Sequence, residues 1–310
     1  MLLLAVAAVA AGYLAVAGWL LQRAAAELLT VGTIATLVRP PVPVTDPFEL
    51  GFRGDPRSAL GLSFETVMLE TPVGPAEAWY VPGTRDDLAA IYVHGVAGAR
   101  EDGYRHLSVL AEAGVPVLLI AYRNDPEAPA APGWRYTMGI TEWEDLDVAV
   151  AAMAARQHDR LVLAGESMGG AIVGQFLRRS ERSRLVAAVI LDAPALDFTA
   201  VLANIAAARN LPLPGVVARV ALYLLSVRGP DDLRETDVID AVAGFDGPVF
   251  LAHGGGDRVV PVVIAERLLA ARVRPTHHLR TTADHLQSWH ADPAAYRAAL
   301  RGFLAGLGDP

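Results

Sequence analysis

At 310 residues, 53% of them hydrophobic, the chain can bury a sizeable core as one large domain or two small ones. The net charge is −8, all 26 basic residues are arginine, and no basic run occurs, so nucleic-acid binding has little support. The absence of cysteine excludes disulfides, thiolate metal sites and a cysteine nucleophile.

Residues 1–22, MLLLAVAAVAAGYLAVAGWLLQ, carry no charge. As a helix this run would be about 33 Å long, enough to cross the hydrocarbon core of a bilayer. Two other readings stand beside a membrane anchor. A cleaved signal peptide could use Ala15-Val16-Ala17 as its cleavage site, but no basic residue precedes the apolar run. A buried helix of the domain is the third. The anchor, a single-pass span, is expected to cover residues 1–38, since only Arg23 and Glu27 interrupt the apolar character before Val38. Arg23 and Arg39 lie C-terminal to the span and lean toward a cytoplasmic catalytic domain. Arg39-Pro40-Pro41-Val42-Pro43 then breaks the helical pattern and opens a stiff linker over residues 39–63.

From residue 64 the pattern changes. Phe64–Glu70 and Ala76–Val81 read as strands joined by a Pro/Gly turn. Strands at Leu88–His94, Val115–Ala121, Arg160–Gly165, Val186–Leu191, Pro248–His253 and His277–Thr281 follow, with helical segments between them. This alternation predicts an α/β domain over residues 64–310, with a mostly parallel eight-stranded sheet covered by helices on both faces. One connection is far longer than a crossover needs. Residues 197–245 hold two or three apolar helical stretches and are expected to form a cap over the C-terminal strand ends, where ligands of open α/β sheets bind.

The chemistry centres on Gly165-Glu166-Ser167-Met168-Gly169, a Gly-x-Ser-x-Gly turn between an apolar strand and a helix. Such a turn strains the serine backbone, while Gly165 and Gly169 let strand and helix approach closely. The hydroxyl then stands above the sheet, at a helix N-terminus that favours developing negative charge. A serine hydroxyl also needs a base, and the base needs an acid to fix its tautomer. Asp257, on a glycine loop after the seventh strand, is the candidate acid. His285, in the short loop after the last strand, is the candidate base; His277 and His278 lie on that strand, and His290 sits at the helix that Asp292-Pro293 starts. The order is Ser, Asp, His, with gaps of 90 and 28 residues. His94-Gly95-Val96-Ala97-Gly98, ending the third strand, supplies a loop whose amides could hold an oxyanion together with that of Met168.

Together HGVAG (94–98), GESMGG (165–170), HGGGDRVVP (253–261) and DHLQSWHADPAAYRAALRGFL (284–304) resemble the α/β-hydrolase superfamily from about Phe64 onward. Within it the chain is similar to bacterial serine hydrolases of the esterase, monoacylglycerol-lipase and thioesterase type. The resemblance implies cleavage of a carboxylic ester or thioester through an acyl-enzyme, with no cofactor and no metal. It implies nucleophile Ser167, acid Asp257, base His285 and oxyanion donors Val96 and Met168; His94 and Gly95 are expected to support the oxyanion loop, and Gly165 and Gly169 the serine turn. Two departures matter: Asp284 stands before the base where many relatives have glycine, and Tyr122-Arg123-Asn124-Asp125 replaces the usual glycine-rich loop. An aminopeptidase or amidase of the same fold, using Asp231, Asp232 or Glu235 to hold an amine, and an inactive membrane-tethered binding module are the alternatives. The partners expected are a small acyl substrate, lipid-derived if drawn from the bilayer, and the membrane through the N-terminal helix; no protein partner can be inferred.

Overall fold

The computed structural model describes residues 1–34, 43–229 and 231–308. One sheet holds eight strands: β1 (Glu65–Thr71), β2 (Gly74–Val81), β3 (Ala89–Val93), β4 (Val117–Ile120), β5 (Leu161–Glu166), β6 (Val186–Asp192), β7 (Val249–Gly254) and β8 (Thr276–Thr281). Their order is β1-β2-β4-β3-β5-β6-β7-β8. β2 runs antiparallel to β1 and β4, and every other pair is parallel. All eight predicted strands are present, their ends displaced by one or two residues.

β3, β4 and β5 are buried along their whole length, which is why they read as continuous apolar runs rather than alternating ones. Side chains still alternate between two cores. Ile91, Leu161 and Leu163 face one layer with α4 (Trp143–Ala155), α5 (Met168–Arg179) and α9 (Val263–Ala271). Ala90, Tyr92, Val162 and Ala164 face the other, with α3 (Tyr104–Glu112) and α11 (Pro293–Ala305). α11 follows the one-turn helix α10 (Ser288–Ala291) and starts on Asp292, whose carboxylate accepts from the Ala295 amide at 2.9 Å, with Pro293 as first helical residue.

The long connection after β6 folds as α6 (Phe198–Ala208), α7 (Pro214–Arg228) and α8 (Ile239–Ala243). Asp197 caps α6, accepting from the Ala200 amide at 3.2 Å. The segment expected as a linker is instead packed against the domain. Phe48 meets Trp289 with ring centroids 5.5 Å apart, and Phe52 meets Tyr104 at 6.0 Å. A short helix, α2 (Pro56–Leu60), lies between Phe52 and β1. Arg39-Pro40-Pro41-Val42 lies outside the described residues, which include only Pro43 of that motif.

The N-terminal helix α1 spans Leu2–Leu28, and residues 35–38 of the expected anchor lie outside the described residues. Its first half is exposed, whereas Ala17, Leu21, Ala25 and the following Leu29 join the same core cluster as α4, α5, α6 and α7. They pack on α7. A Cβ on Gly18 would lie 2.4 Å from Val220 Cγ1, so close approach of the two helices requires glycine there. Tyr13 donates its hydroxyl to the Pro212 carbonyl at 2.7 Å. Beyond α1, the Val31 amide donates to Trp134 O at 3.0 Å, and the Tyr136 amide to Leu29 O at 2.9 Å. A helix expected to be separate from the domain is therefore half incorporated into it.

Gly18→Leu should force α1 from α7, costing about 1–3 kcal/mol as an overpacked contact does. Gly12→Leu, with no atom within 4 Å of its added Cβ, should leave stability unchanged. Thermal melts of both variants in detergent check this; equal melting temperatures would contradict the packing.

Candidate active site

β5 ends at Glu166 and α5 begins at Met168, leaving Ser167 alone at the turn with φ +51° and ψ −116°. That conformation is costly for a residue with a side chain and persists only where its surroundings fix it. Here they do. The Ser167 amide donates to Asp192 O at 3.0 Å, and Ser167 O accepts from the Ala195 amide at 2.9 Å. A Cβ on Gly169 would lie 2.1 Å from Val93 O, and one on Gly165 would lie 2.6 Å from Gly169 O. Both glycines are thus steric requirements of the turn. Ser167 is only 6% exposed, so the hydroxyl sits at the strand ends but under cover rather than open to solvent.

Two distant loops bring the candidate base and acid to it. His285 Nε2 lies 3.0 Å from Ser167 Oγ, and His285 Nδ1 lies 2.7 Å from Asp257 Oδ2. The other Asp257 oxygen accepts from the amides of Val259 at 2.9 Å and Val260 at 2.8 Å. Burial alone would raise this carboxyl, but hydrogen bonds from His253 and His285 and from the Val260 amide hold it well below the usual carboxylate range. Asp257 is therefore an anion at neutral pH, as an orienter of imidazole must be.

Asp284 does not turn toward the imidazole. Its carboxylate accepts from the Arg258 amide at 3.0 Å and Nε at 2.7 Å, and from the His285 amide at 2.8 Å. It clamps the acid loop to the base loop. His94 is buried beside the turn, Nε2 2.8 Å from Asp125 Oδ2 and its ring stacked on Tyr122 at 4.3 Å. Burial works against its charged form, yet Asp125 and the Gly95 carbonyl raise its pKa above the ordinary value. Tyr122 donates to the carbonyls of His94 and Gly95, each at 3.1 Å. The loop that departs from glycine-rich form thus supplies two side chains that fix the 94–98 loop. A Cβ on Gly95 would stand 3.1 Å from Ser167 Cβ, so this loop abuts the nucleophile turn and carries Val96 there. Met168 is the first residue of α5, where an amide has no intrahelical acceptor.

The remaining histidines stay apart from the serine. His290 Nε2 is 3.3 Å from Glu49 Oε1, and His277 packs on Phe303 at 5.4 Å. Sequence reasoning missed His253, buried at the end of β7, with Nε2 3.4 Å from Asp257 Oδ2 and 3.0 Å from Val260 O. It also missed the cluster beneath the turn. Glu166 shares the sheet face of Val162 and Ala164. There Arg105 Nη2 is 2.7 Å from both its oxygens, and Tyr92 donates to it at 2.9 Å. Tyr296 donates to Asp192 at 2.9 Å and meets His106 Nε2 at 3.1 Å. Burial alone would raise Glu166, but Arg105 and His106 hold it low; burial and the Glu166 charge push Asp192 up. His106, Glu166 and Asp192 bring one ligand atom each within 4.8 Å of one another, a spacing that suits a metal ion, but the Arg105 guanidinium already binds both Glu166 oxygens.

No family model matches the chain. Among solved structures, the Pyrococcus furiosus esterase Pf2001 superposes with a TM-score of 0.62 at 19% identity, covering 86% of this chain and 98% of that one. The fold is that of the α/β-hydrolases. Other neighbours with this fold include a thermophilic esterase from Thermogutta terrifontis (TM-score 0.56, 19% identity, 79% and 100% covered). A membrane phospholipase A described as a bacterial virulence factor gives 0.57 at 19% identity, with 81% and 88% covered. In sequence the chain is 27% identical over 242 residues to the uncharacterized protein YfhR of Salmonella typhimurium, covering 73% of this chain and 76% of that one. It is 29% identical over 225 residues to Rv2307c of Mycobacterium tuberculosis, covering 69% of each.

Arg105→Met would leave the Glu166 carboxylate buried without its cation, and should cost about 3–5 kcal/mol. Adding Glu166→Gln should recover much of that loss. Denaturant melts of the single and double variants test this, and additive losses would contradict the pairing.

Proposed function

We propose that the chain is a membrane-anchored serine hydrolase that cleaves a carboxylic ester or thioester through an acyl-enzyme. The observation that carries this reading is the hydrogen-bonded line Ser167 Oγ, His285, Asp257, with separations of 3.0 and 2.7 Å. Ser167 Oγ attacks the acyl carbon while its proton passes to His285 Nε2. Asp257 holds Nδ1–H and stabilises the imidazolium as it forms. Negative charge on the carbonyl oxygen is received by the amides of Val96 and Met168, each such donor contributing a few kcal/mol to the transition state. His285 then protonates the departing alkoxide or thiolate, and water repeats the cycle in reverse to release the acid.

The names of the structural neighbours, esterases and a membrane phospholipase A, support ester cleavage in particular. An amide-cleaving reading draws no comparable support. Of the three carboxylates that reading would use, Asp232 is paired with Arg234 and Glu235 with Arg179, while burial pushes the Asp231 carboxyl up toward its neutral form. For the chain as a whole, the reading places an anchor in residues 1–38, a connecting segment in 39–63 and the hydrolase domain in 64–310, with the cap at about 197–245.

A fluorophosphonate probe should label the wild type at Ser167 and leave Ser167→Ala unlabelled. On a short-chain ester, His285→Ala should lose about 10⁴-fold or more in kcat with KM nearly unchanged, whereas His290→Ala should stay near wild type. Near-normal kcat in His285→Ala together with collapse in His290→Ala would overturn the assignment.

A further inference from the structure

Between Asp197 and Asp231 the chain contains no acidic residue; its charges there are Arg209, Arg219 and Arg228, in a protein whose net charge is −8. In the N-terminal segment the first charge is Arg23 and the first acid Glu27. These are the two stretches that pack together. Tyr13 meets Pro212, Gly18 meets Val220, and Gln22 lies 3.5 Å from Arg228, so α1 and α7 run side by side in the same direction. The turn between α6 and α7, Arg209-Asn210-Leu211-Pro212-Leu213, therefore points the way the exposed N-terminal half of α1 points. At its tip Leu213 adopts φ +54° with its side chain 59% exposed. Next to it Val9, Gly12, Tyr13, Val16 and Leu20 form an apolar groove of about 460 Å³ with Leu211.

The lengths connect these features. Tyr13 stands level with the turn, so only Leu2–Gly12 reaches past it, about 17 Å of helix. A bilayer core is about 30 Å thick. The uncharged run of α1 continues to Gln22, below the level of the turn. With the turn at the membrane surface, Leu2–Gly12 enters one leaflet and the rest of the uncharged run lies along α7. Resting on the reading of α1 as a membrane helix, we propose that the α6–α7 turn of the cap is a lipid-docking surface that seats the cap on an anionic bilayer. Leu211 and Leu213 enter the boundary between headgroups and acyl chains, while Arg209 and Arg219 lie among the phosphates with their stems along apolar surface. The lack of any acid across the face removes the repulsion that the rest of this acidic protein would meet. The docked turn also connects to the site. From α6, Asn204 Nδ2 donates at 2.8 Å to the carbonyl of Arg258, the residue after Asp257.

The full chain has no cysteine, so single-cysteine variants can carry one environment-sensitive fluorophore each. Val9→Cys, Leu213→Cys and Val273→Cys, labelled with nitrobenzoxadiazole, would be reconstituted into phosphatidylcholine vesicles containing a minority of phosphatidylglycerol. Probes at positions 9 and 213 should both shift to the blue and be quenched by nitroxide on the upper acyl chain. The probe at position 273, a site 93% exposed on another part of the domain, should report water. A shifted probe at 9 with an unshifted, unquenched probe at 213 would overturn the docking surface and leave the anchor standing. Water-like signals at both would overturn the anchor and the docking together. Probe labelling of Ser167 is unaffected by either outcome, so the hydrolase reading is tested apart.

Discussion

The structure depends on holding one residue in a conformation that its side chain disfavours. Ser167 sits at φ +51° between β5 and α5, and nothing in the serine itself prefers that geometry. Close contact through Gly165 and Gly169 leaves the backbone no other path, and backbone hydrogen bonds to Asp192 O and from the Ala195 amide pin both sides of the turn. Directly beneath, on the opposite sheet face, Glu166 is locked by Arg105 and Tyr92 in the interior. A buried ion pair contributes little net stability against an apolar substitute, but breaking it is expensive. Its position one residue before the serine makes it a brace for the turn.

The same holds for the candidate base and acid. Asp257 receives two amides and two imidazoles, and Asp284 ties the loop of one residue to the loop of the other through Arg258. Imidazole orientation is thus fixed by the protein before any substrate arrives, which is the condition for general-base catalysis by histidine. On the other wall His94, Asp125 and Tyr122 make the 94–98 loop rigid in a comparable way.

Much of this was legible in the sequence, and the reasons differ by element. The strands were readable because a sheet covered on both faces demands unbroken apolar runs, and Leu161–Ala164 or Val249–Ala252 admit few other readings. The candidate site was readable because the serine turn is a local motif and the loops bearing Asp257 and His285 follow predicted strands. The Arg105–Glu166 cluster and His253 were not, since contacts across 61 residues or across a loop leave no periodic trace. The burial of α1 was hidden for a different reason. An uncharged helix reads alike whether it faces lipid or α7, and contacts such as those of Gly18 with Val220 and Tyr13 with Pro212 separate the two. Phe48 and Phe52 lay in a stretch whose prolines suggested a linker, although two aromatics so close together are better suited to packing.

In the proposed mechanism Ser167 carries the acyl group between two half-reactions. Rapid-quench mass spectrometry during turnover of an activated ester tests it most directly, by locating any covalent adduct on proteolytic peptides. The account predicts an acyl-sized mass increase on the peptide containing Ser167, formed and lost at rates compatible with turnover. Turnover with no adduct at any time, or with the adduct confined to another residue, would contradict it.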